Sequence, residues 1–445
     1  MKKHSRIVLA ALAAIVSEVS VADDATAVAC AKTLFGDNVV VFSPSDAPGE
    51  IDAKVESVFQ RQHKQQFGDG RYALMFLPGD YRATKPMNVG YYTQLLGLGR
   101  SPTDVTLNNV KTPAALPNNN ATCNFWVGIE NLTIADTDNN EDPYFGFQWA
   151  VSQAAPARRL LVERKAVFDW FYGWASGGYV ADCIFRKAAG SYSQQQYFTR
   201  NSRLEGKFYG INWNNVLLGC DGSGLLSSED SEHKVYASAA ACMGKGVRST
   251  WSAGGSVTLV DGAPVIREKP FVFWDDATSA YKMFVPALRR NAKGTSWSES
   301  DPGKGEVLDI ASAFHVATPK KDDAKSINAA LAAGKHIFLT PGIYRVKEPI
   351  RVKRAGTVFF GLGEATIIPD NAEAGMVCSD EDGIVIAGVI FDAGERSRHL
   401  LVVGEKGSRK SHAENPIVLQ DVISASEGLA LLGAPRFRWK STATT

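Results

Sequence analysis

The sequence has few of the residues from which metal sites are built. Its 445 residues include six cysteines and seven histidines, and none forms a Cys-x-x-Cys pair or a Cys/His cluster at zinc-ligand spacing. We therefore expect no structural metal and no cofactor. The cysteines themselves allow two interpretations. Cys220 and Cys242 bracket a variable segment and could form a disulfide, or most of the six are buried free thiols that behave as small apolar side chains.

The sequence also lacks an excess of charge of either sign. It contains 48 lysines and arginines against 47 aspartates and glutamates, which gives a formal net charge of +1. A nucleic-acid-binding protein neutralises phosphates with a surplus of basic side chains. Nucleic acid is therefore not an expected partner.

Long apolar runs are scarce as well. The clearest, IVLAALAAIV at residues 7–16, is too short to cross a bilayer. It follows a basic start and precedes Ser20-Val21-Ala22, the small residues that a signal peptidase requires. The sequence thus predicts a signal peptide over residues 1–22 and a secreted or periplasmic protein without a membrane partner.

What the sequence does contain is an internal repeat. Residues 72–99 return as residues 336–363, and each copy follows a short amphipathic segment, residues 52–67 and residues 322–333. The matching residues are Phe76, Pro78, Gly79, Tyr81, Arg82 and Pro86 in the first copy, and Phe338, Pro341, Gly342, Tyr344, Arg345 and Pro349 in the second. The pattern predicts two tandem copies of one architecture.

Each copy indicates a helix followed by short strands. In the second copy Asp322 is a candidate N-cap, Ile327, Ala330 and Leu331 form an apolar stripe, and Gly334 can end the helix in a left-handed conformation. Short β-branched strands then alternate with turns, without helices between them. This spacing is typical of a parallel β-helix, in which coils stack on their neighbours. A propeller or a sandwich is the alternative.

The repeat also divides the chain. We expect a first β-helix over residues 35–260 and a crossing segment over residues 261–309, with a hairpin from REKPFVFWDD and YKMFVPAL and a polar loop after it. A second, incomplete β-helix should cover residues 310–422. Residues 423–445 lose the strand pattern, which suggests a truncated or frame-shifted product with an irregular tail. An irregular natural cap is the alternative.

Several segments then support a family comparison. DDAKSINAALAAGKHIFLTPGIYRV resembles the entry segment of the pectate-lyase-like β-helix superfamily. Two such modules, together with WAVSQAAPARR, WASGGYVADC, SQQQYFTRNS and REKPF, resemble glycoside hydrolase family 55. The resemblance covers residues 35–422 and implies tandem right-handed parallel β-helices. It further implies exo-type, inverting hydrolysis of a β-1,3-glucan in the cleft between them, with a polysaccharide or oligosaccharide as partner.

The same resemblance guides the choice of site residues. Inverting hydrolysis requires a carboxylic acid and a water held on the opposite face of the sugar. In the family the acid is a glutamate in later coils of the second β-helix, and no residue here matches it; Glu381, Glu395, Glu405 and Glu414 would be guesses. A family glutamine helps to position the water, and Gln194, Gln195 and Gln196 are the best match. An amide ladder inside a coil is the alternative for these three residues.

Other polar and aromatic residues are weaker candidates for sugar contacts. Arg200 and Asn201 could bind hydroxyl groups, although such residues commonly cap turns. Aromatic residues are dense between positions 144 and 174, and apolar sugar faces stack on indole rings. Most of these rings should be core. Trp174, flanked by Gly173 and a Ser-Gly-Gly turn, is expected to face ligand, with Gln153 and Arg158 as weaker companions.

Three classes of function follow. The first is a secreted carbohydrate-active protein of the β-1,3-glucanase type, inactive if its catalytic coils are missing. The second is a polysaccharide lyase, which would need a calcium-binding acidic cluster or a basic residue; the dense acidic run Asp380-Glu381-Asp382 is better interpreted as a solvated turn. The third is a non-catalytic glycan-binding β-helix. In each case we expect a monomer.

Overall fold

Two stacks of parallel strands, joined by a short antiparallel segment, make up the architecture. The computed structural model describes residues 24–425 except 141, 172, 192–193, 210–213, 226–233, 236–246, 253–254, 371 and 395–398. Two helices come first, α1 (residues 24–35) and α2 (Pro48–Gln62). The predicted signal peptide and Cys242 lie outside the described residues.

The first stack consists of short strands, with 3₁₀ turns at Pro102–Asp104 and Pro143–Phe145. Its strands are β1 (Val39–Phe42), β2 (Tyr72–Phe76), β3 (Gly79–Tyr81), β4 (Met87–Asn88), β5 (Thr93–Gly97), β6 (Val105–Leu107), β7 (Val110–Lys111), β8 (Val127–Ile134), β9 (Phe147–Gln148), β10 (Pro156–Val162), β11 (Ala166–Val167), β12 (Gly178–Ala181), β13 (Ile184–Phe185), β14 (Ala189–Gly190), β15 (Gln196–Arg200), β16 (Arg203–Leu204), β17 (Phe208–Tyr209), β18 (Asn214–Leu218), β19 (Lys234–Val235), β20 (Val247–Ser252) and β21 (Gly255–Val260).

Parallel pairing between successive coils defines this stack. Its main sheet runs in the order β1-β2-β5-β8-β10-β12-β15-β18-β21, and β4, β7, β9, β11, β14 and β17 form a second sheet. Leu74 is opposite Leu95, which is opposite Ile129, and all three are buried. Such inward ladders of apolar side chains are what a parallel β-helix buries. The predicted all-β class with parallel coils is confirmed.

The crossing segment is antiparallel. Its strands are β22 (Ala263–Ile266), β23 (Phe271–Asp275), β24 (Ala280–Pro286), β25 (Arg289–Ala292) and β26 (Gly305–Asp309). Strands β23 and β24 form the predicted hairpin. The loop before β26 is less polar than its sequence suggests, because Trp297 within it is buried and its Nε1 donates to the carbonyl of Asp182 at 2.8 Å.

One corner of the first stack holds this segment. Asn131, Arg159, Asp182 and Asn201 occupy that corner in successive coils, all with positive φ between 47° and 61°. Such backbone is costly for residues other than glycine and persists where the surroundings fix it. Here the side chains bind neighbouring backbone: Asp182 accepts from Ser296, and Asn201 donates to the carbonyl of Ala292 at 2.9 Å.

The second stack begins with helix α3 (Ile310–Ala313) and contains helix α4 (Ala324–Ala332). Its strands are β27 (Phe314–Ala317), β28 (His336–Leu339), β29 (Ile343–Val346), β30 (Ile350–Val352), β31 (Val358–Gly361), β32 (Thr366–Pro369), β33 (Met376–Cys378), β34 (Val385–Asp392), β35 (Leu401–Val403) and β36 (Val418–Ala425). All pair in parallel, in two sheets. No helix in the described ranges is long and apolar enough to cross a membrane.

Helix α4 differs slightly from its prediction. Its N-cap is Asp323, which forms a capping box with Ser326, whereas Asp322 accepts from the backbone of Thr318 and lies 2.8 Å from His315. The two aspartates are adjacent, so the sequence could not separate a cap from a turn-forming residue. Gly334 follows the helix with φ of 83°, as predicted.

The two copies of the repeat make the same contacts. The first copy contains four successive strands, β2 to β5, and the second contains four corresponding strands, β28 to β31. The Tyr81 hydroxyl donates to the carbonyls of Phe42 and Leu77, and the Tyr344 hydroxyl donates in the same way to Ala317 and Thr340. At both Pro-Gly turns a Cβ on the glycine would collide with a proline of the preceding coil. In both copies the tyrosine and the glycine therefore serve the stacking of one coil on the preceding one.

Helix α1, which the sequence did not suggest, lies where the two stacks and the crossing segment meet. The ring of Phe35 packs 5.1 Å from the rings of both Tyr281 and Phe338, and the Tyr281 hydroxyl donates to the carbonyl of Ala27 at 2.9 Å. Buried side chains from both stacks and the crossing segment belong to this same core. The helix thus helps to fix one stack against the other.

Four of the cysteines follow the free-thiol interpretation. Cys123, Cys183, Cys220 and Cys378 are buried free thiols, and the Cys183 thiol donates to the carbonyl of Ala181 at 3.2 Å. Cys220 is thus unpaired with respect to the described cysteines, and Cys242, its predicted disulfide partner, lies outside the described residues.

The end of the second stack is longer than predicted. Strand β36 pairs with β34 up to Ala425, which lies opposite Asp392. Residues 423–425 are therefore strand rather than irregular tail. Their hydrogen-bonding partners belong to β34, and Ser424 and Ala425 do not show a strand pattern by themselves. Residues 426–445 lie outside the described part of the chain.

The acidic run Asp380-Glu381-Asp382 binds His412 and Lys410 of a later loop, and we call this group of contacts the clasp. His412 lies with one ring nitrogen 2.7 Å from Asp380 and the other 2.6 Å from Asp382, and Lys410 pairs with Glu381 at 3.1 Å. These contacts fasten the loop at residues 404–417 that leads into β36. The hydrogen bonds to both carboxylates raise the pKa of His412 above its ordinary value of 6.5.

We expect this clasp to weaken with rising pH. Because the folded-state pKa is raised, the stabilisation is fully present below about pH 6.5 and is lost as pH rises through the raised pKa. His412→Ala should increase amide exchange in residues 405–415 at pH 6 and have little effect at pH 9, as measured by hydrogen exchange with mass spectrometry. His399→Ala is the control, and an equal effect at both pH values would contradict the assignment.

Candidate functional site

Two cavities of about 430 Å³ each lie between the two stacks. We call them compartments A and B, and the region that holds them the groove. Compartment A is lined by Gln153, Ala154, Ala155, Pro156, Arg158 and Tyr179 of the first stack and by Leu419, Gln420, Asp421, Val422 and Ile423 of the second. Compartment B is lined by Phe67, Gly68, Asp69, Arg71, Tyr92, Trp126, Ile343, Arg345, Thr366, Ile368, Ile390, Asp392 and Ala425. Both volumes fall in the range of ligand sites.

Gln153 is the exposed amide of compartment A. Ser152 hydrogen-bonds its side-chain oxygen. A Cβ at Gly177, whose φ is 80°, would lie 2.8 Å from Cγ of Gln153, so glycine leaves the space that the amide occupies. The amide thus lines compartment A, and its contact with a sugar stays a prediction.

Arg158 joins the stacks at the floor of compartment A. Its guanidinium donates to both carboxylate oxygens of Asp421 at 2.6 to 2.8 Å and to Oε1 of Gln420 at 2.8 Å. It also lies 4.8 Å from the Tyr179 ring centroid, a cation–π arrangement. Burial raises the pKa of Asp421, but Arg158 and Lys269 outweigh it and hold that pKa below its ordinary value. Asp421 is therefore an anion that accepts hydrogen bonds.

A buried network of charges lies behind this floor. Nζ of Lys269 lies 2.6 Å from Glu130 and 3.6 Å from Asp421. Arg200 binds Glu268 through two hydrogen bonds of 2.7 Å and donates to the Tyr179 hydroxyl at 3.0 Å. The REKPF segment thus places Glu268 and Lys269 between carboxylates and guanidinium groups of the stacks. Buried charges require such partners.

Glu364 is a buried acid that the sequence did not suggest. It is 8% exposed and lines a small cavity with Gln94, Lys269 and Asp421. Burial raises its pKa to about 8 despite the attraction of Lys269. Glu364 is therefore mainly protonated at neutral pH. The repeat contained a sequence signal for this acid. After the shared Gly-Leu-Gly, the first copy has Arg100 and the second has Glu364.

The glutamates named as guesses for the acid lie elsewhere. Glu381 pairs with Lys410, Glu414 pairs with Arg290, and Glu405 is exposed on a loop. Glu395 lies outside the described residues. The described ones line neither compartment.

If the three glutamines lay on one strand, Gln195 would point to one face and Gln194 and Gln196 to the other. The structure does not have this alternation. Gln194 is fully buried and donates to the carbonyl of Val151 at 3.0 Å, which is the amide-ladder alternative. Gln195 is half-buried, whereas Gln196 is exposed and accepts from the Ser176 hydroxyl at 2.8 Å. Strand β15 begins only at Gln196, so alternation does not apply to the two residues before it. Gln194 is thus not placed to position a water in the groove.

Arg200 and Asn201 are also buried, contrary to their expected contact with sugar hydroxyls. Glu268 occupies the guanidinium of Arg200, and Asn201 binds the carbonyl of Ala292 at the left-handed corner. The crossing segment covers both side chains, and its path could not be read from their local sequence. Asn201 thus binds backbone at a turn, which was the alternative interpretation of this residue.

Trp174 is exposed, as predicted, with 63% of its surface accessible. It lines neither compartment of the groove. Its contact with a sugar therefore stays a prediction. Neighbouring Phe147, Trp149 and Phe168 are buried core, in agreement with the expectation that most aromatic residues here pack inside the coils.

Comparisons with known proteins agree with this architecture. Residues 314–435 match the family model of the LAM55 pectate lyase-like domain. An exo-beta-1,3-glucanase from Streptomyces sp. (strain SirexAA-E / ActE) is 41% identical over 390 residues, which cover 87% of this chain and 58% of that protein. The chain therefore spans less than two thirds of the length of this curated relative.

Two solved structures are similar over the same range. SacteLam55A from Streptomyces sp. SirexAA-E matches with a TM-score of 0.74, and a variant of it in complex with glucose matches with a TM-score of 0.76. Each is 40% identical to this chain, and each match covers 88% of this chain and 64% of the other.

Proposed function

Because the chain is a glycoside hydrolase family 55-like protein with a pectate-lyase-like fold, we propose that it acts on a β-1,3-glucan in the groove between its two stacks. The observation that carries this proposal is compartment A. Both stacks line it, and it combines the amides of Gln153 and Gln420 with the guanidinium of Arg158 and the Tyr179 ring. Sugars require such a mixture of hydrogen-bonding groups and a flat apolar surface.

The proposed reaction is exo-type hydrolysis with inversion. It needs an acid for the departing oxygen, a positioned water, and stabilisation of an oxocarbenium-like transition state. Arg158 and Lys269 hold Asp421 as an anion and compensate its charge, so Asp421 is not the proton donor. Gln153 is placed to orient a water or a sugar hydroxyl. Among the described residues that line compartment A, Asp421 is the single carboxylate, and we assign no proton donor.

The proposal also places the protein outside the cytoplasm. Its support is the sequence of residues 1–22, with a basic start, an apolar run and small residues before the expected cleavage site. We propose a secreted or periplasmic monomer. Fractionation of cells followed by N-terminal sequencing tests the cleavage after Ala22, and size-exclusion chromatography with light scattering tests the oligomeric state.

A substrate comparison tests the function itself. The purified chain should release glucose from laminarin, a neutral β-1,3-glucan, with or without a chelator. Turnover of polygalacturonate that stops with chelator would indicate the lyase alternative. Laminarin binding without product would indicate a non-catalytic glycan-binding protein, and absence of both binding and turnover would refute the proposal.

Gln153→Ala should lower laminarin turnover at least tenfold without changing the melting temperature, because removing a positioned hydrogen-bonding group costs about 1.5 kcal/mol or more. Initial rates on laminarin and thermal unfolding are the measurements. Gln60→Ala, which removes an exposed amide on α2, is the control. Equal rates for the two variants would exclude Gln153 from the site.

A further inference from the structure

We propose that compartment B binds the part of the glucan chain that extends beyond the units in compartment A, with Phe67 as the platform. This inference rests on the proposed function and adds to it a preference for extended chains. It concerns residues that neither the resemblance nor the comparisons assign to a site.

The platform is an exposed ring on a buried support. Phe67 is 69% exposed, and its ring lies edge-on to Trp126 at a centroid distance of 6.5 Å. Trp126 is buried and stacks on Tyr92 at 4.8 Å with an interplanar angle of 11°. The Arg71 guanidinium covers the other face of Tyr92 at 3.4 Å. The support is therefore fixed, while Phe67 offers an apolar face to solvent.

The support is also anchored across both stacks. Arg71 donates to the Thr366 hydroxyl of the second stack at 2.9 Å and to the carbonyls of Gly68 and Gly70. These last contacts fasten the backbone next to Phe67. A platform held in this way loses little conformational freedom when a ligand binds.

The charged residues of compartment B favour a neutral ligand. Asp69 and Asp392 line it together with Arg71 and Arg345, so the formal charges cancel. Arg345 is also paired with Asp370 at 3.1 Å, which compensates its charge. A polyanion would find no surplus of positive charge here. Carboxylate and guanidinium groups are instead suitable partners for the hydroxyl groups of an uncharged sugar.

The two compartments adjoin along the groove. The backbone N–H of Trp126 donates to the carbonyl of Ala154 at 3.0 Å, which joins the wall of compartment B to that of compartment A. Ile423 lines compartment A and Ala425 lines compartment B, two residues apart on β36. Residues so spaced lie roughly 7 Å apart along a strand. A single extended chain can therefore contact both.

Chain length provides the test. Affinities of wild-type protein and Phe67→Ala are measured by isothermal calorimetry for a β-1,3-linked disaccharide and for a hexasaccharide. We expect Phe67→Ala to raise the Kd of the hexasaccharide about five- to tenfold, as loss of one stacking ring does, and to change the Kd of the disaccharide less than twofold. Phe145→Ala, which removes a 53% exposed ring that lines neither compartment, should change neither Kd.

The outcomes separate this inference from the proposed function. If the wild-type protein binds neither sugar, the proposed function fails. If it binds both and Phe67→Ala leaves the hexasaccharide Kd unchanged, the inference alone is refuted. An equal loss for both sugars would also refute it, since the ring would then act on compartment A or on the fold. Melting temperatures of the variants show whether each remains folded.

Discussion

Replacing Lys269 by methionine should lower the free energy of unfolding by about 3–5 kcal/mol, the usual cost of breaking a buried ion pair from one side. Lys269 is buried between Glu130 at 2.6 Å and Asp421 at 3.6 Å. Methionine fills a similar volume but carries no charge, so Glu130 would keep a negative charge without its nearest cation. Urea unfolding followed by circular dichroism measures the change.

Two further variants make this result specific. Lys282 belongs to the same crossing segment and pairs with Asp309 at 2.9 Å, but nearer to solvent. Lys282→Met should therefore cost less than about 1 kcal/mol. The double variant Lys269→Met with Glu130→Gln should recover much of the loss, because the stranded charge is removed. A single variant as stable as the wild type would mean that water reaches the network and solvates Glu130.

Replacing Glu364 by glutamine should stabilise the protein above neutral pH. Its pKa is about 8 in the folded chain against an ordinary value of 4.5, so the folded chain keeps a proton that the unfolded chain has lost. The stability that depends on this proton is complete below pH 4.5 and is lost as pH rises to 8. Each pH unit of that window costs up to roughly 1.4 kcal/mol.

Glutamine has the shape of the protonated acid but does not titrate. Glu364→Gln should therefore match the wild type near pH 5 and exceed it by about 3–5 kcal/mol at pH 8. Urea unfolding at half-unit pH steps from 5 to 9 measures this divergence. Glu405→Gln, which removes an exposed carboxyl, should leave the curve of stability against pH unchanged. Parallel curves for Glu364→Gln and the wild type would show that Glu364 is ionised throughout.

The charged layer between the stacks explains why these two residues matter. Arg158, Lys269 and Arg200 face Asp421, Glu130 and Glu268, and all six side chains are buried. Replacing such a layer with apolar residues is often neutral for stability. Its geometry instead fixes β36 against β10, and thereby the shape of compartment A.

The sequence by itself determined the coil and its repetition. The Pro-Gly turn, the tyrosine after it and the apolar ladder are local patterns that recur about 260 residues apart, and each forms the same contacts in both copies. The hairpin of the crossing segment and the left-handed Gly334 were likewise predictable. Periodicity and turn chemistry act over a few residues, so a sequence displays them directly.

Only the tertiary structure decided which polar residues face the groove. Gln194, Arg200 and Asn201 were sugar-binding candidates in the sequence, yet a coil interior and the crossing segment bury them. Glu364 and Asp421, 57 residues apart in the second stack, line one cavity with Gln94 of the first. The platform of Phe67 likewise depends on Trp126 and Arg71. Burial and charge pairing depend on distances between coils that are remote in sequence, and no local pattern contains those distances.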